Sequence, residues 1–402
     1  MNARYQAYEL LYNTLAKGQY LNLGLKSAHL SDSSRGFVTR LVYDTLQNYD
    51  WMKYQFESHL SKKVPLEIEI ILVMSCVQHF LMDSIADYAL VNEAVNLTKK
   101  VKHSYSGLVN AVLKKVVKQT LLESDDLAIR YSHPQWMTNL FRKQLGENET
   151  TQLLAHNNTI APLYVRLNND NLKSKMIEKY SLIEDEEGYL IGNSSLISDD
   201  LLKEGDLVIQ DKASQQVVMM FNDIQGRILD ACGAPGTKCS QLARRFETSS
   251  ITMLDLHEHR VELSKELMER LDIKNVTCKV GDATTYEDEP FDAIMCDVPC
   301  SGLGVLRRKP DLRYRISPND LDSLQELQAA ILEHMDTLLK PGGQLVYATC
   351  TLNRKENEVQ IDKFLDNHPN YTLIKQQTLL PHHHNSDGFY MALLIKSYDM
   401  IG

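Results

Sequence analysis

The chain has 402 residues, 43% of them hydrophobic, and a formal net charge of -10. That length exceeds one ordinary domain and the composition can bury at least one sizeable core, so two or three domains are expected. The acidic balance argues against binding nucleic acid by bulk electrostatics, leaving any such contact to local patches. The amino terminus lacks a basic start followed by an apolar run, and no stretch of about eighteen apolar residues occurs. A cytoplasmic protein with no membrane partner is expected. Seven cysteines without Cys-x-x-Cys pairs describe neither a disulfide framework nor a zinc site. Reduced thiols, no metal and a monomer are the expectations.

Residues 1–125 read as a helical bundle. Tyr8, Leu11 and Leu15 share one face, as do Phe37, Leu41, Val42, Thr45 and Leu46, and the period continues through Ile68–Phe80, Tyr88–Val101 and Gly107–Val117. Ala94 to Leu122 contains no acid but carries Lys99, Lys100, Lys102, Lys114, Lys115 and Lys118, a run that suits either a solvated face or a phosphate backbone. Residues 126–215 read as a linker and a small mixed α/β subdomain. Ser132 to Trp136 breaks the pattern, a helix covers Met137–Leu145, and Leu163–Leu167 and Leu207–Ile209 are short strands separated by polar turns at Glu184–Gly188 and Gly192–Ser195.

Residues 216–402 alternate regularly. Ile228–Asp230, Ile251–Asp255, Val276–Val280, Ala293–Asp297 and Gln344–Ala348 are predicted strands separated by helices or loops, with Tyr371–Ile374 and Phe389–Ile395 completing the set. The pattern predicts a doubly wound, mostly parallel sheet. Ser317 and Pro318 mark the start of the long helix before the fifth strand. Ligands of such sheets sit beyond the carboxyl ends of the strands. There the first strand gives Asp230-Ala-Cys-Gly-Ala-Pro-Gly-Thr-Lys238, whose small residues bring main-chain N–H groups close to a ligand at a helix start. Asp255 can accept from both ribose hydroxyls, and Asp282 can receive a donor from an adenine ring. A dinucleotide needs similar features, but the loop lacks G-x-G-x-x-G and a nicotinamide has no use for two thiols. Cys300 and Cys350 both follow strand ends in the cleft.

These stretches carry a resemblance. Asp297-Val-Pro-Cys-Ser-Gly302, Tyr347-Ala-Thr-Cys350 and the Asp230–Lys238 loop resemble the signatures of the RNA cytosine-5 methyltransferases. The helical start resembles a NusB-like RNA-binding domain, while His133-Pro-x-Trp136, Gln210-Asp-x-Ala-Ser-Gln215 and Pro381-His-x-His-x-x-Asp-Gly-Phe389 resemble further family stretches. Together they cover nearly the whole chain. The sequence departs from the usual Ala-Ala-Pro-Gly-Gly-Lys-Thr loop at Gly233, Thr237 and Cys239, and from the fourth motif at Val298, Gly302 and Leu303.

The resemblance implies a Rossmann-like, S-adenosylmethionine-dependent methyltransferase acting on 16S ribosomal RNA. It makes Cys350 the nucleophile that adds to cytosine C6, Cys300 the residue that assists release, and Asp297 the acid at the cytosine edge and beside the cofactor. Cys232, Gly233, Ala234, Pro235, Gly236, Thr237 and Lys238 then hold the methionine end of the cofactor, with Asp255 on the ribose and Asp282 on the adenine. Arg307, Arg308, Lys309 and Arg313, directly after the fourth motif, are the expected RNA contacts. A tRNA cytosine-5 methyltransferase shares every catalytic residue, and the NusB-like start argues against it. A non-catalytic RNA-binding assembly factor is a rival of another class, against which intact Cys300, Cys350 and Asp297 weigh. DNA cytosine methylation has no need of Cys350.

Overall fold

The computed structural model describes residues 2–82, 85–193, 196 and 204–398; Ser194 and Ser195 of the second predicted turn lie outside them. The chain forms two compact units, Met1–Thr159 with Leu306–Ile316, and Ile160–Val305 with Ser317–Gly402. Among the described residues no helix is long and apolar enough to cross a membrane.

The first unit is helical. Its main helices run Ala3–Lys17, Asp32–Gln47, Tyr49–Glu57, Leu66–Phe80, Asp87–Lys102 and Ser106–Val116. Leu66–Phe80 is apolar nearly all round, burying Ile68, Ile70, Ile71, Leu72, Val73, Met74, Cys76 and Val77, as a helix at the centre of a bundle must. This compact unit takes in more than the helical domain expected over residues 1–125. Helices Gln135–Leu145 and Glu147–His156 continue it to Thr159, burying Phe141, Leu153 and Leu154.

The second unit holds two sheets. A small antiparallel sheet has the order β2-β3-β1-β4, with β1 Leu163–Leu167, β2 Ile183–Glu184, β3 Leu190–Gly192 and β4 Leu207–Ile209. The larger has seven strands in the order β10-β11-β9-β8-β5-β6-β7. These are β5 Arg227–Asp230, β6 Ser250–Asp255, β7 Val276–Val280, β8 Phe291–Asp297, β9 Leu339–Thr349, β10 Tyr371–Leu379 and β11 Phe389–Lys396. Pairings from β9 through β8, β5, β6 and β7 are parallel, while β11 runs antiparallel to both neighbours. The expected doubly wound sheet is present. Its central strands bury Leu229, Ile294, Met295, Val346 and Ala348, continuous apolar runs suited to a sheet covered on both faces. Helix Pro318–Leu338 starts with a capping box between Ser317 and Asp320, which fixes the chain's return after β8. β9 begins at Leu339, earlier than the sequence pattern suggests, because Leu339 already pairs with Phe291 ahead of an irregularity in the ladder.

Candidate active site

Strand order places the ends of β5 and β8 side by side at the centre of the sheet. After β5, Ala231 N–H donates to Met295 O at 2.9 Å and Gly233 N–H to Leu254 O at 2.9 Å, so the loop is laced to both neighbouring strands. A Cβ on Gly233 would lie 2.4 Å from Met253 Cγ and 2.5 Å from Asp230 Oδ2; the glycine lets the backbone pass over Asp230. Gly236 takes φ +95° as the N-cap of helix Thr237–Arg245 and offers it no side-chain cap, leaving first-turn N–H groups for an anionic ligand group. Arg166 of β1 anchors that turn, donating to Ser240 Oγ at 2.7 Å and Gln210 Oε1 at 2.9 Å.

Asp230 is fully buried, and neither of its carboxylate oxygens has a side-chain hydrogen-bond partner among the described residues; the Cys232 main-chain N–H is a minor influence that lowers its pKa. Burial, followed by the charge of Asp297, pushes its pKa up to about 8 against the pull of Lys238. Lys238 Nζ donates to Asp297 Oδ2 at 2.7 Å and lies 5.2 Å from the centre of the Phe389 ring. Burial lowers the Lys238 pKa, but Asp297, with smaller help from Cys350 and Asp230, outweighs it and holds the ammonium above its ordinary value. Lys238, Asp297, Asp230 and Cys350 are thus one electrostatic group.

The two thiols meet. Cys300 Sγ and Cys350 Sγ are 3.2 Å apart. The hydrogen bond that the Cys300 thiol shares with Cys350, then burial, then the charges of Cys350 and Glu356 raise Cys300 well above an ordinary thiol. Asp255 is buried at the end of β6, where Oδ1 accepts from His257 N at 3.1 Å and Oδ2 lies 3.3 Å from Arg260 Nη2. Arg260 also donates to Ala234 O at 2.7 Å, tying Asp255 to the glycine loop. Asp282 is exposed, and its Oδ1 accepts from Thr284 Oγ1 at 2.7 Å and Thr284 N at 2.8 Å; the Thr284 hydroxyl leads in lowering its pKa.

Sequence reasoning missed Arg166, Arg260 and Glu356 as parts of this site, and it took Asp230 as the start of the ligand loop without giving its carboxylate a role. Glu356, fully buried behind Cys350, accepts from Ser301 N at 2.9 Å, Ser301 Oγ at 2.6 Å, Gln328 Nε2 at 3.0 Å and Asn353 Nδ2 at 3.0 Å. Its only sequence signal was an acid in the loop following a predicted strand end. The terminal motif braces the site from behind. Gly388 N–H donates to Gly304 O at 2.8 Å while Gly304 N–H donates to Cys350 O at 3.0 Å, and Asp387 N–H donates to Asp211 Oδ1 at 3.1 Å.

The basic run after the fourth motif requires a correction. Leu306–Ile316 belongs to the helical unit. Arg313 is 1% exposed and its guanidinium donates to the carbonyls of Gln47, Tyr131, Ser132 and Asn157 at 3.1–3.2 Å, with burial pulling its pKa down to about 10. Arg307 is buried too, donating to Thr159 O at 3.3 Å. Neither presents its charge to an RNA backbone: long cationic side chains satisfy main-chain oxygens here instead. Arg308 is half-buried and Lys309 exposed. His133 of the His-Pro-x-Trp stretch is buried beside Asn157, with Nε2 and Nδ2 3.2 Å apart, and helps build the Arg313 socket.

Residues 218–395 match the family described as 16S rRNA methyltransferase RsmB/F, residues 1–118 the NusB family, and residues 133–178 the ferredoxin-like domain of RsmF/B-like methyltransferases. The chain is 32% identical to a probable ribosomal RNA small subunit methyltransferase B of Bacillus subtilis over 97% of this chain and 98% of that protein. It is 29% identical to ribosomal RNA small subunit methyltransferase B of Vibrio cholerae over 99% and 98%. The crystal structure of PH0851 superposes with a TM-score of 0.81 at 21% identity, covering 98% of this chain and 99% of the other. A methyltransferase homolog protein from Pyrococcus horikoshii gives 0.59 at 23%, covering 67% and 98%. The helical start is therefore a NusB-like domain and the large sheet a Rossmann-like methyltransferase fold. With a full-length relative above 30% identity and the thiol pair and glycine loop at the expected strand ends, the chain belongs to the RsmB/F family of ribosomal RNA methyltransferases.

Proposed function

We propose that this protein transfers a methyl group from S-adenosylmethionine to C5 of a cytosine in 16S ribosomal RNA through a covalent adduct with Cys350. The observation that carries the reading is the 3.2 Å approach of Cys300 Sγ to Cys350 Sγ beside the Lys238–Asp297 ion pair. Cytosine C5 is too weak a nucleophile to take a methyl group directly. The Cys350 thiolate adds to C6, and the electron pair of the C5–C6 double bond moves to C5, which bonds to the methyl carbon as that carbon's bond to the sulfonium sulfur breaks, with S-adenosylhomocysteine as the leaving group. A base then takes the C5 proton, the double bond re-forms, and the C6–S bond breaks to return the Cys350 thiolate. The Lys238 charge favours the thiolate. Asp297 meets the cytosine edge and is held in place by Lys238. Cys300, kept as a neutral thiol, lies against the departing sulfur.

The residues suit S-adenosylmethionine, which supplies an electrophilic methyl group when bound. Its amino-acid end is zwitterionic: the ammonium matches the carboxylate of Asp230, which has no side-chain hydrogen-bond partner among the described residues, and the carboxylate matches the uncapped helix start at Thr237. Gly233 leaves a cradle that a Cβ would fill. Asp255 and Asp282 are the ribose and adenine ligands of this reading. The target base must be accessible, in a loop or flipped out. Arg308, Lys309 and the exposed Lys99, Lys100, Lys114, Lys115 and Lys118 are the proposed backbone contacts.

The test is a denaturing gel of labelled, unmodified 16S RNA with S-adenosylmethionine and wild type, Cys300→Ala, Cys350→Ala or the double variant. Wild type is expected to turn over and Cys300→Ala to accumulate a protein–RNA adduct that vanishes in the double variant. An adduct persisting without Cys350 would reverse the assigned roles, and a wild type that neither methylates nor crosslinks would overturn the reading.

A further inference from the structure

We propose that Glu356 is a positioning residue that sets Cys300 against Cys350 for the release half of the reaction; the proposal rests on the methyl-transfer reading above. The two thiols are held by different means. Cys350 directly follows β9, whose last residue, Thr349, pairs with Tyr390 of β11, so the sheet itself fixes its place. Cys300 lies beyond the end of β8 at Asp297, separated from it by Val298 and Pro299, and no ladder reaches it. The loop is tied at its two ends by Val298 N–H to Ala348 O at 3.1 Å and Gly304 N–H to Cys350 O at 3.0 Å, and between them, next to Cys300, by the Glu356 carboxylate.

All four donors to that carboxylate come from side chains or main chain around the two thiols. Ser301, the residue after Cys300, supplies both its N–H and its hydroxyl. Asn353, three residues after Cys350, supplies its amide, and Gln328 of helix Pro318–Leu338 donates one hydrogen to Glu356 and one, at 2.9 Å, to Pro299 O. The hydroxyls of Ser301 and Thr351, the residues following each thiol, lie 2.7 Å apart. Glu356 is itself clamped, because Tyr347 OH donates to its main-chain O at 2.6 Å. A buried carboxylate with two acceptor oxygens and four donors is fully satisfied. An amide in its place would turn an NH2 toward two donors, and the loop would have to move. None of the donors belongs to the glycine loop, so cofactor binding is separable from this brace.

Losing the brace therefore displaces Cys300 more than Cys350: the adduct forms and fails to resolve. The experiment uses the full chain, unmodified 16S RNA and S-adenosylmethionine, and compares wild type, Cys300→Ala, Glu356→Gln and the milder Ser301→Ala. Turnover and gel-stable adduct are measured on the same samples, with cofactor affinity by calorimetry. Glu356→Gln is expected to lower turnover about 10- to 100-fold while adduct accumulates as in Cys300→Ala and cofactor affinity stays within about 3-fold, as a brace without contact to the cofactor loop predicts. Ser301→Ala is expected to shift the ratio of adduct to turnover in the same direction by less, and it decides the matter alone if Glu356→Gln does not fold. Adduct and turnover falling in parallel, or unchanged turnover, would overturn the proposal. If Cys300→Ala accumulates adduct and these variants do not, only the Glu356 assignment fails; if Cys300→Ala accumulates none, the release role of Cys300 fails and this proposal with it.

Discussion

Cys300 and Cys350 stand fifty residues apart in sequence with their sulfur atoms 3.2 Å apart, brought together because β8 and β9 are adjacent and parallel. The contact raises Cys300 above the ordinary thiol range, with burial and Glu356 adding to it. A raised thiol pKa means less thiolate at a given pH, and the thiolate is the species that alkylates. In Cys350→Ala the contact from Cys350 is gone but burial and Glu356 remain. Cys300 in that variant is expected to react with iodoacetamide at pH 8 at least about 10-fold more slowly than an exposed cysteine, accelerating above pH 9. Peptide mass spectrometry measures it, and rapid alkylation at pH 8 would contradict the assignment.

Asp230 predicts a pH dependence of stability. Its folded pKa of about 8 lies above the unfolded value, so between pH 4 and pH 8 the folded state holds a proton that the unfolded state has lost. Stability attributable to this group therefore falls as pH rises across that window. Asp230→Asn, which mimics the protonated form, is expected to gain on wild type by about 1.4 kcal/mol per pH unit at most, levelling off above about pH 8. Denaturant unfolding of both proteins without cofactor, from pH 5 to pH 9, gives the difference. A constant difference would mean that Asp230 is ionised throughout.

Gly233 occupies a position where the usual family loop has alanine, and here Met253 and Asp230 fill the space a Cβ would need. Gly233→Ala is expected to cost about 1–3 kcal/mol by overpacking and to weaken the cofactor. Met253→Ala in the same chain should recover most of the lost affinity, because it removes the nearer obstacle. Thermal melts and cofactor titrations of the single and double variants test the pair, and purely additive effects would show that Met253 is not the obstacle.

The basic segment separates into two behaviours. Arg313→Met leaves the carbonyls of Gln47, Tyr131, Ser132 and Asn157 without their donor and is expected to destabilise the helical unit by roughly 3 kcal/mol. It should leave the salt dependence of RNA binding unchanged. Lys309→Ala is expected to do the reverse, leaving stability intact and reducing the slope of log affinity against log salt by about one. Melting curves and RNA titrations at several salt concentrations distinguish the two residues.

The catalytic sheet was legible because its signals are local. Apolar runs ending in Asp230, Asp255 and Asp297 mark strand ends, and small residues after them mark loops that must admit a ligand. Glu356 and Arg313 were not legible, because their partners come from distant segments and nothing beside them in sequence differs from an ordinary surface acid or base. The same holds for the end of the helical unit: residues 126–159 contain helices, but only packing decides which unit they join. Arg313 was misread because a run of positive charge looks alike whether it faces solvent or carbonyl oxygens.

The route of Leu306–Ile316 bears on synthesis. The helical unit is encoded first, yet one of its parts lies beyond the glycine loop, β5 through β8 and the fourth motif. A nascent chain released from the ribosome only as far as Thr159 carries the four carbonyls that receive Arg313 without the arginine. Maturation of the first unit is thus coupled to translation of most of the second. A fragment cut at the apparent end of the helices would be missing its own keystone.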